Sequence, residues 1–342
     1  MDILRSTLDE KIIIELSKYY SNTYIENINL HGGHNFIYLI KGDYEFVLRA
    51  TPESRRSPED IESELDFMNY LKSSGISLPA PLKGLDNKFV YETESDGEIF
   101  IISAFEKVNG LNFWERGLDG RERFVAAGQM LGKMHAAAKK YIPQNIKPRR
   151  QWHENYHFEK AGGVFEKHRK DIKEAFEHYM AKMKKLYRDK NTFGLIHGDY
   201  FFSNYSFDSE EKITILDFDE CEYSWFISDI ALCMYYFLLG PEPLELPEKR
   251  DEAINIFLWI TEGYTKENNL NAEQFEQIDC FFQMRDYILL STIYENERFI
   301  EWENKFIEGA AERVIKNKKF VDVDFKDLYL KNGGTYHVSY RF

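Results

Sequence analysis

Short strand-like runs alternate with turn residues in the first hundred residues. Residues 36–40 and 44–48 are rich in apolar and aromatic side chains, and Lys41-Gly42-Asp43 between them is typical of a turn. This pattern predicts a β-hairpin. The apolar stretch over residues 100–108 predicts a later strand of the same region.

A helix is predicted to begin near Ser57-Pro58-Glu59, because serine is a favoured N-cap and proline is favoured at the first helical position. Its apolar residues recur at helical spacing, namely Ile61, Leu65, Met68 and Leu71. A leading helix is predicted over about residues 7–20.

Beyond residue 105 the hydrophobic pattern becomes helical. The predicted helices cover about residues 121–140, 158–188, 228–239, 248–266, 272–294 and 301–316. We therefore predict an α+β fold with two lobes. The N-terminal lobe, residues 1–105, would hold an antiparallel sheet with a helix, and the C-terminal lobe, residues 106–342, would be mostly helical.

Composition fits a soluble intracellular protein. The 342 residues are 43% hydrophobic and 16% aromatic, which is enough to fill two cores. The net charge of -14 disfavours nonspecific binding to nucleic acid, and no apolar run approaches the roughly 20 residues needed to cross a membrane. The start of the chain lacks a signal-peptide pattern, and three cysteines in apolar or helical contexts suit reduced thiols, so we expect a cytoplasmic location.

Polar residues at a particular spacing occupy the middle of the chain. His197-Gly198-Asp199 is followed by Asn204, and Asp217-Phe218-Asp219 follows an apolar run. Kinases use this H-x-D-x-x-x-x-N and D-F-x arrangement to hold a nucleophilic hydroxyl and two magnesium ions. The pattern predicts phosphoryl transfer, with Asp199 as the catalytic carboxylate and Asn204 and Asp217 as magnesium ligands.

The spacing of these residues has a chemical reason. Asp199 would accept a hydrogen bond from the acceptor hydroxyl, and Asn204 would offer a neutral oxygen to a metal that already has anionic phosphate ligands. Residues 205–207 and 213–216 are predicted to pair across the polar turn 208–212. That hairpin would carry Asp217 on a rigid frame.

A kinase site also needs a cation on an N-terminal strand and an acid on the next helix. Arg49 ends a predicted strand where a lysine is usual, and a guanidinium binds phosphate or carboxylate through two donors. Glu64 is the expected partner because it adjoins the apolar stripe of its helix. Glu62 is the competing partner, since residues two apart on a helix point to different faces.

Two further segments are candidates for nucleotide contacts. Gly32 and Gly33 form a glycine-containing turn before a strand, and this turn would cover the nucleotide. The backbone of residues 105–108, with Glu106 and Val108, would hold the adenine, and Gly110 permits a bend after it. There is no Walker loop and no cysteine or histidine spacing typical of zinc.

Together these segments resemble the aminoglycoside phosphotransferase and choline kinase superfamily, which includes the bacterial phosphotransferase enzyme family and type II homoserine kinases. The resemblance covers most of the chain, and its segments are residues 32–35, 46–49, the Glu64 helix, 131–135, 197–204, 216–219 and 229–231. It implies a protein-kinase-like fold, ATP and Mg²⁺ as cofactors, and a structural role for Asp229 in supporting the catalytic loop. It also implies that His197 supports the loop rather than transferring protons.

The expected activity is phosphorylation of a hydroxyl on a small molecule such as an amino alcohol, a hydroxy amino acid or an aminoglycoside. Two alternatives remain at the level of sequence, a protein Ser/Thr kinase and a catalytically silent kinase-like binding protein. Glu154, Glu220 and Glu222 are candidates for receiving an ammonium group of the acceptor, or are ordinary solvent-facing acids. The sequence does not give the oligomeric state.

Overall fold

The structure is a computed structural model that describes residues 8–30, 35–112, 120–144, 147–239, 249–297 and 301–332. The strands of its N-terminal sheet are β1 (Glu26–Asn29), β2 (Phe36–Lys41), β3 (Glu45–Pro52), β4 (Pro81–Leu82), β5 (Tyr91–Ser95) and β6 (Glu98–Glu106). Their order is β1-β2-β3-β6-β4, and β5 also pairs with β6. All the pairs are antiparallel, and the predicted β2–β3 hairpin is confirmed.

Side chains alternate between the two faces of this sheet. Phe46, Leu48 and Ala50 of β3 belong to an apolar cluster with helix α1 (Glu10–Ser17). Successive residues of a strand point to opposite faces, so Arg49 points away from α1. The strand period thus aims this guanidinium at the next helix of the chain.

That helix, α2 (Pro58–Ser73), begins where the sequence predicted. The Ser57 side chain accepts a hydrogen bond from the Asp60 N–H at 3.3 Å, and the Asp60 carboxylate accepts one from the Ser57 N–H at 3.2 Å. This reciprocal cap satisfies two of the N–H groups that a helix start leaves unpaired. It fixes the residue at which α2 begins.

The rest of the described chain is mostly helical, and the α+β fold class is confirmed. The helices are α3 (Arg121–Ala138), α4 (Tyr156–His168), α5 (Lys170–Met183), α6 (Phe226–Leu239), α7 (Arg250–Tyr264), α8 (Ile278–Asn296), α9 (Glu301–Lys316) and α10 (Phe325–Lys331). Short 3-10 helices cover Trp152–Glu154, Phe202–Asn204 and Ala272–Gln277. In the parts of the chain that the structure describes, no helix has both the length and the apolar character to cross a membrane.

The predicted helix over residues 158–188 is wrong, because the chain bends within it. Arg169 has an extended backbone conformation, with φ -151° and ψ 88°, and separates α4 from α5. The bend lets Phe158 stack on Phe176 with ring centroids 5.8 Å apart. In one continuous helix these residues would lie about 27 Å apart along the axis. Aromatic packing therefore prevails over the continuous helical pattern.

Short strands frame the centre of the molecule. They are β7 (Leu111–Asn112), β8 (Phe193–Ile196), β9 (Tyr205–Phe207), β10 (Ile213–Ile215) and β11 (Glu222–Trp225). β9 and β10 form the predicted hairpin, with Ile213 opposite Phe207. The Asp208 side chain closes its turn by accepting hydrogen bonds from the N–H groups of Glu210 and Lys212 at 2.8 and 3.0 Å.

Helices α3 and α7 pack backbone against backbone through glycines. A Cβ added at Gly263 would meet the Val125 carbonyl oxygen at 2.0 Å, and one added at Gly128 would meet the Ile260 carbonyl oxygen at 2.0 Å. Contacts this close have no room for a side chain. The close packing also brings His135 of α3 to within 3.0 Å of the Tyr264 hydroxyl of α7.

We predict that Gly263→Ala lowers the free energy of unfolding by about 1–3 kcal/mol, because the added methyl group must push α3 and α7 apart. The matched control is Gly163→Ala on α4, where no atom lies within 4 Å of an added Cβ. That change should stabilise the protein by about 0.5–1 kcal/mol through helix propensity. Urea unfolding of both variants measures the difference, and equal stabilities would contradict the close packing.

Candidate active site

The loop that follows β8 is held by one buried carboxylate. Asp229, in the first turn of α6, accepts hydrogen bonds from the N–H groups of His197 and Gly198 at 2.9 and 3.0 Å. His135 Nε2 lies 3.1 Å from the same carboxylate, and His135 Nδ1 lies 3.0 Å from the Tyr264 hydroxyl. The predicted structural role of Asp229 is therefore confirmed.

Gly198 is required by the shape of this loop. Its φ is +79°, and an added Cβ would meet the Glu220 carbonyl oxygen at 2.3 Å. Glycine adopts this conformation without strain, whereas other residues do not. The loop of residues 197–204, called the catalytic loop below, therefore lies against the backbone of the segment around Glu220.

His197 ties the loop to the strand end before Asp217. Its Nδ1 accepts a hydrogen bond from the Asp199 N–H at 3.2 Å, so its Nε2 carries the proton and donates to the Leu216 carbonyl oxygen at 3.0 Å. Burial lowers the pKa of His197, which keeps the ring neutral. The sequence interpretation of His197 as loop support is confirmed.

Asp199 and Asn204 are in direct contact. Asn204 Nδ2 donates to the Asp199 carbonyl oxygen at 2.9 Å and to Asp199 Oδ2 at 3.0 Å. Burial, reinforced by the negative charges of Asp217 and Glu220 and opposed by Arg285, raises the pKa of Asp199 to about 7. An acid with this pKa suits proton transfer near neutral pH.

Asp217 and Asn204 have the donor set of a magnesium site. The Asn204 Nδ2 atom donates its hydrogen bonds to Asp199, which leaves the side-chain carbonyl oxygen of Asn204 available to a metal. Asp217 has a left-handed backbone with φ 58°, and burial together with Asp219 raises the pKa of its carboxyl to about 6. Within the described residues, no three His, Cys, Asp or Glu side chains are grouped to hold a metal. One carboxylate and one amide fit Mg²⁺, which prefers few protein ligands together with phosphate oxygens and water.

Arg49 pairs with Glu64 rather than Glu62. Arg49 Nη1 and Nη2 each lie 2.8 Å from a different oxygen of the Glu64 carboxylate, and both side chains are buried. Arg49 also donates through Nε to the Ser103 hydroxyl at 3.3 Å and stacks on Phe105. Glu62 is exposed on the opposite side of α2. This two-pronged pair joins the sheet to α2 on the side that faces the catalytic loop.

Four arginines that the sequence interpretation missed surround the segment after Asp217. Arg55 contacts the carboxylates of Asp219 and Glu220, and Arg56 lies 3.0 Å from Asp219 and 2.8 Å from Glu220. Arg150 contacts Glu220, and the remaining arginine, Arg149, donates to backbone carbonyl oxygens of this segment. Their signal in the sequence was two adjacent pairs, residues 55–56 and 149–150.

The structure gives the partners of the three acids that the sequence offered as candidates for an ammonium group. Glu220 is paired with three arginines, and Glu222 is buried against Arg150 and Asn155. The Glu154 carboxylate accepts a hydrogen bond from the Gln151 N–H at 2.7 Å. Glu220 and Glu222 are therefore engaged in ion pairs and hydrogen bonds within the protein, and they are not the solvent-facing acids of the alternative interpretation.

A cavity of about 880 Å³ lies between the sheet and the catalytic loop. The predicted site residues that line it are Arg49, Glu64, Glu106, Val108, Asp199, Asn204 and Asp217. Its apolar wall on the sheet side contains Ile37, Val47 and Phe105. The predicted nucleotide-covering glycines, Gly32 and Gly33, lie outside the described residues.

The fold is shared with solved kinases. An amicoumacin kinase in complex with AMP-PNP, Ca²⁺ and Ami has a TM-score of 0.84 at 23% identity, over 94% of this chain and 97% of that chain. A microcompartment-associated aminopropanol kinase has a TM-score of 0.73 at 20% identity, over 91% of this chain and 98% of that chain. These likenesses confirm the predicted kinase-like fold.

The family follows from the sequence match. The model of the phosphotransferase enzyme family matches residues 28–254, and the chain belongs to this family. The chain is also 26% identical to the amicoumacin kinase of Bacillus subtilis (strain 168) over 334 residues, which are 96% of this chain and 98% of the relative. The protein is a small-molecule phosphotransferase, and the predicted cofactors, ATP and Mg²⁺, agree with this assignment.

We predict that Glu64→Gln raises the Michaelis constant for ATP severalfold and lowers stability by about 3–5 kcal/mol, because Arg49 loses its charged partner in a buried site. Glu62→Gln is the matched control, since it makes the same change on the exposed side of the same helix. It should leave both quantities unchanged. Steady-state kinetics and denaturant unfolding test this, and equal effects of the two substitutions would sink the assignment.

Proposed function

We propose that this protein transfers the γ-phosphoryl group of ATP to a hydroxyl group of a small molecule, with Mg²⁺ as the metal. The observation that supports this most directly is that Asp199, Asn204 and Asp217 line the same cavity as the Arg49–Glu64 pair. A carboxylate for the hydroxyl, oxygen ligands for a metal and a cation for the phosphates are the parts that phosphoryl transfer requires.

The nucleotide would occupy the sheet side of the cavity. Ile37, Val47 and Phe105 offer apolar surface for the adenine ring. The carboxylate of Glu106 is engaged with the Ala80 N–H at 3.0 Å and with Lys72 at 3.1 Å, so any adenine contact there belongs to the backbone of residues 106–108. Gly32 and Gly33 remain proposed as the turn that covers the phosphates.

Arg49 is proposed to face the α- and β-phosphates. Each of its terminal nitrogens donates one hydrogen to Glu64, and each has a second hydrogen available for a phosphate oxygen. Glu64 holds the guanidinium in place during this contact. Asn204 and Asp217 would hold Mg²⁺, which when bound neutralises charge on the phosphate oxygens.

Asp199 is proposed to meet the acceptor hydroxyl. Its Oδ2 is engaged by Asn204, so Oδ1 is left to accept the hydroxyl hydrogen bond. The acceptor oxygen forms a bond to the γ-phosphorus, the bond from this phosphorus to the β–γ bridging oxygen breaks, and the hydroxyl proton passes to Asp199. The raised pKa of Asp199 supports its role as the proton acceptor.

The acceptor is proposed to be a hydroxylated natural product or metabolite. The near full-length match to the amicoumacin kinase of Bacillus subtilis makes amicoumacin the first compound to test. Amino alcohols, hydroxy amino acids and aminoglycosides complete the panel, with casein as a protein acceptor. Transfer of labelled phosphate to casein alone would replace this proposal with protein kinase activity.

We predict that Asp199→Asn lowers kcat by about 100-fold or more, because the acceptor hydroxyl loses its proton acceptor. The dissociation constant for Mg·ATP should change little, since Asp199 faces the acceptor. Transfer of labelled phosphate and calorimetric titration with AMP-PNP measure the two quantities. The same substitution at Asp251, an exposed residue in the first turn of α7, is the control and should retain parental kcat.

We predict that Asp217→Ala removes the Mg²⁺-dependent part of ATP binding, because it deletes the anionic metal ligand. In the parent, Mg·ATP should raise the melting temperature more than ATP with EDTA does. In the variant the two additions should give equal melting temperatures. A variant that retains the parental difference would show that Asp217 does not hold the metal.

A further inference from the structure

One face of helix α8 forms a wall of the cavity beyond the catalytic loop. Arg285, Ile288, Leu289 and Thr292 all line the cavity, and their spacing places them on one side of the helix. Tyr236 of α6 and Phe201 of the catalytic loop line the same part, and their rings pack 4.6 Å apart. We call this part of the cavity the acceptor subsite.

Arg285 differs from the other arginines of the cavity. Arg49 and Arg55 are paired with carboxylates, whereas no carboxylate among the described residues lies within ion-pairing distance of Arg285. Arg285 Nη2 donates to the Gly198 carbonyl oxygen at 2.5 Å, which anchors the guanidinium beside the catalytic loop. This bond uses one of its five N–H donors. A half-buried guanidinium with unused N–H donors is suited to hydrogen-bond an oxygen atom of a ligand.

Tyr236 adds a second donor at the same place. Burial raises the pKa of its phenol, Arg285 opposes this rise, and Asp199 adds to it, so the phenol lies within electrostatic reach of both groups. In the described part of the chain, the Tyr236 hydroxyl has no hydrogen-bond partner. Near neutral pH Tyr236 is an uncharged phenol that lines the subsite and can donate a hydrogen bond.

The other polar groups around the subsite are already in use. Glu220 is held by arginines, and Asn155 donates to Glu222 at 3.2 Å. The Thr292 hydroxyl lies 2.9 Å from the Ile288 carbonyl oxygen and 3.1 Å from His157 Nδ1. Among the described residues of the subsite, Asp199 is the one carboxylate left to pair with a cationic group of the substrate. The subsite therefore offers more free hydrogen-bond donors than free carboxylates. This favours a substrate that carries an oxygen able to accept hydrogen bonds.

We propose that Arg285 and Tyr236 bind the carbonyl oxygen of a carboxylate or carboxamide on the acceptor, next to the hydroxyl that meets Asp199. The substrates are then hydroxy acids or hydroxy amides rather than simple amino alcohols. This inference rests on the proposed kinase function and names the substrate class of the same site. Arg285 is a specificity-determining residue in this scheme, because it touches the substrate away from the reacting atoms.

The test uses pairs of substrates that differ only by a carboxylate or carboxamide group. The pairs are L-homoserine with 3-amino-1-propanol, and L-serine or L-serinamide with ethanolamine, and amicoumacin is assayed beside them. With Mg·ATP, the carbonyl-bearing member of a pair should have a kcat/KM at least about tenfold higher, as expected for a charge-assisted contact. Preference for the amino alcohols, or no transfer to any carbonyl-bearing compound, overturns the inference.

Variants separate acceptor binding from phosphoryl transfer. Arg285→Met should raise KM for carbonyl-bearing acceptors by about 10- to 100-fold with a smaller change in kcat, because a charge-assisted hydrogen bond is lost. Arg285→Lys should recover part of this loss, and Tyr236→Phe should raise KM by a smaller factor. Arg169→Met is the matched control, because this guanidinium pairs with Asp171 on the surface and should leave both constants unchanged.

The outcomes keep this inference distinct from the proposed function. An equal fall in kcat for every acceptor on Arg285→Met, with KM unchanged, would assign Arg285 to the transfer step, through the phosphoryl group or through the pKa of Asp199, and overturn the inference. If calorimetry detects no binding of Mg·AMP-PNP to the parent protein, the proposed function itself is overturned. If the parent protein binds Mg·AMP-PNP but its kcat/KM does not depend on the carbonyl group of the substrate, the inferred substrate class is overturned and the proposed kinase function stands.

Discussion

The active site depends on the carboxylate of Asp229. It accepts hydrogen bonds from the N–H groups of His197 and Gly198, and it contacts the His135 ring. A single buried carboxylate therefore fixes the backbone just before Asp199. Burial alone would raise the pKa of Asp229, but the hydrogen bond from His135 and the nearby N–H groups lower it. A buried anion is tolerated only with such donors. Asp229 of α6 therefore links the catalytic loop to His135 of α3 and, through His135, to Tyr264 of α7.

The same principle of compensated charge orders the segment after the loop. Asp217, Asp219 and Glu220 are crowded together, and arginines from the β3–α2 connection and from residues 149–150 neutralise part of this charge. Burial would raise the pKa of Asp219, yet Arg56 and Arg55 lower it to about 2, whereas the pKa of Asp217 rises to about 6. Asp217 has no such arginine partner among the described residues, which leaves its carboxylate available for a metal.

The net charge of -14 does not describe the charge of the acceptor subsite. Glu220 and Glu222 beside it are paired with arginines, and Arg285, which has no carboxylate partner among the described residues, lies against the catalytic loop. Local pairing decides which charges a ligand meets, because charges within a few ångströms in a partly buried cavity outweigh distant, screened surface charges. An acidic protein therefore offers a donor-rich subsite.

The sequence by itself determined the elements and the chemistry that depend on short spacings. The β2–β3 and β9–β10 hairpins, the start of α2 at Ser57, and the catalytic loop from His197 to Asn204 all rest on residues close together in the chain. Strand alternation and helical periodicity are local properties, so a sequence pattern records them.

Only the tertiary structure decided which distant groups meet. The choice of Glu64 over Glu62 depends on how α2 rotates against the sheet, and the break at Arg169 depends on Phe158 meeting Phe176. The arginine cluster and the position of Arg285 bring together residues 70 to more than 160 positions apart in the chain. Such contacts arise from packing and charge compensation in three dimensions, and no local spacing in the sequence encodes them.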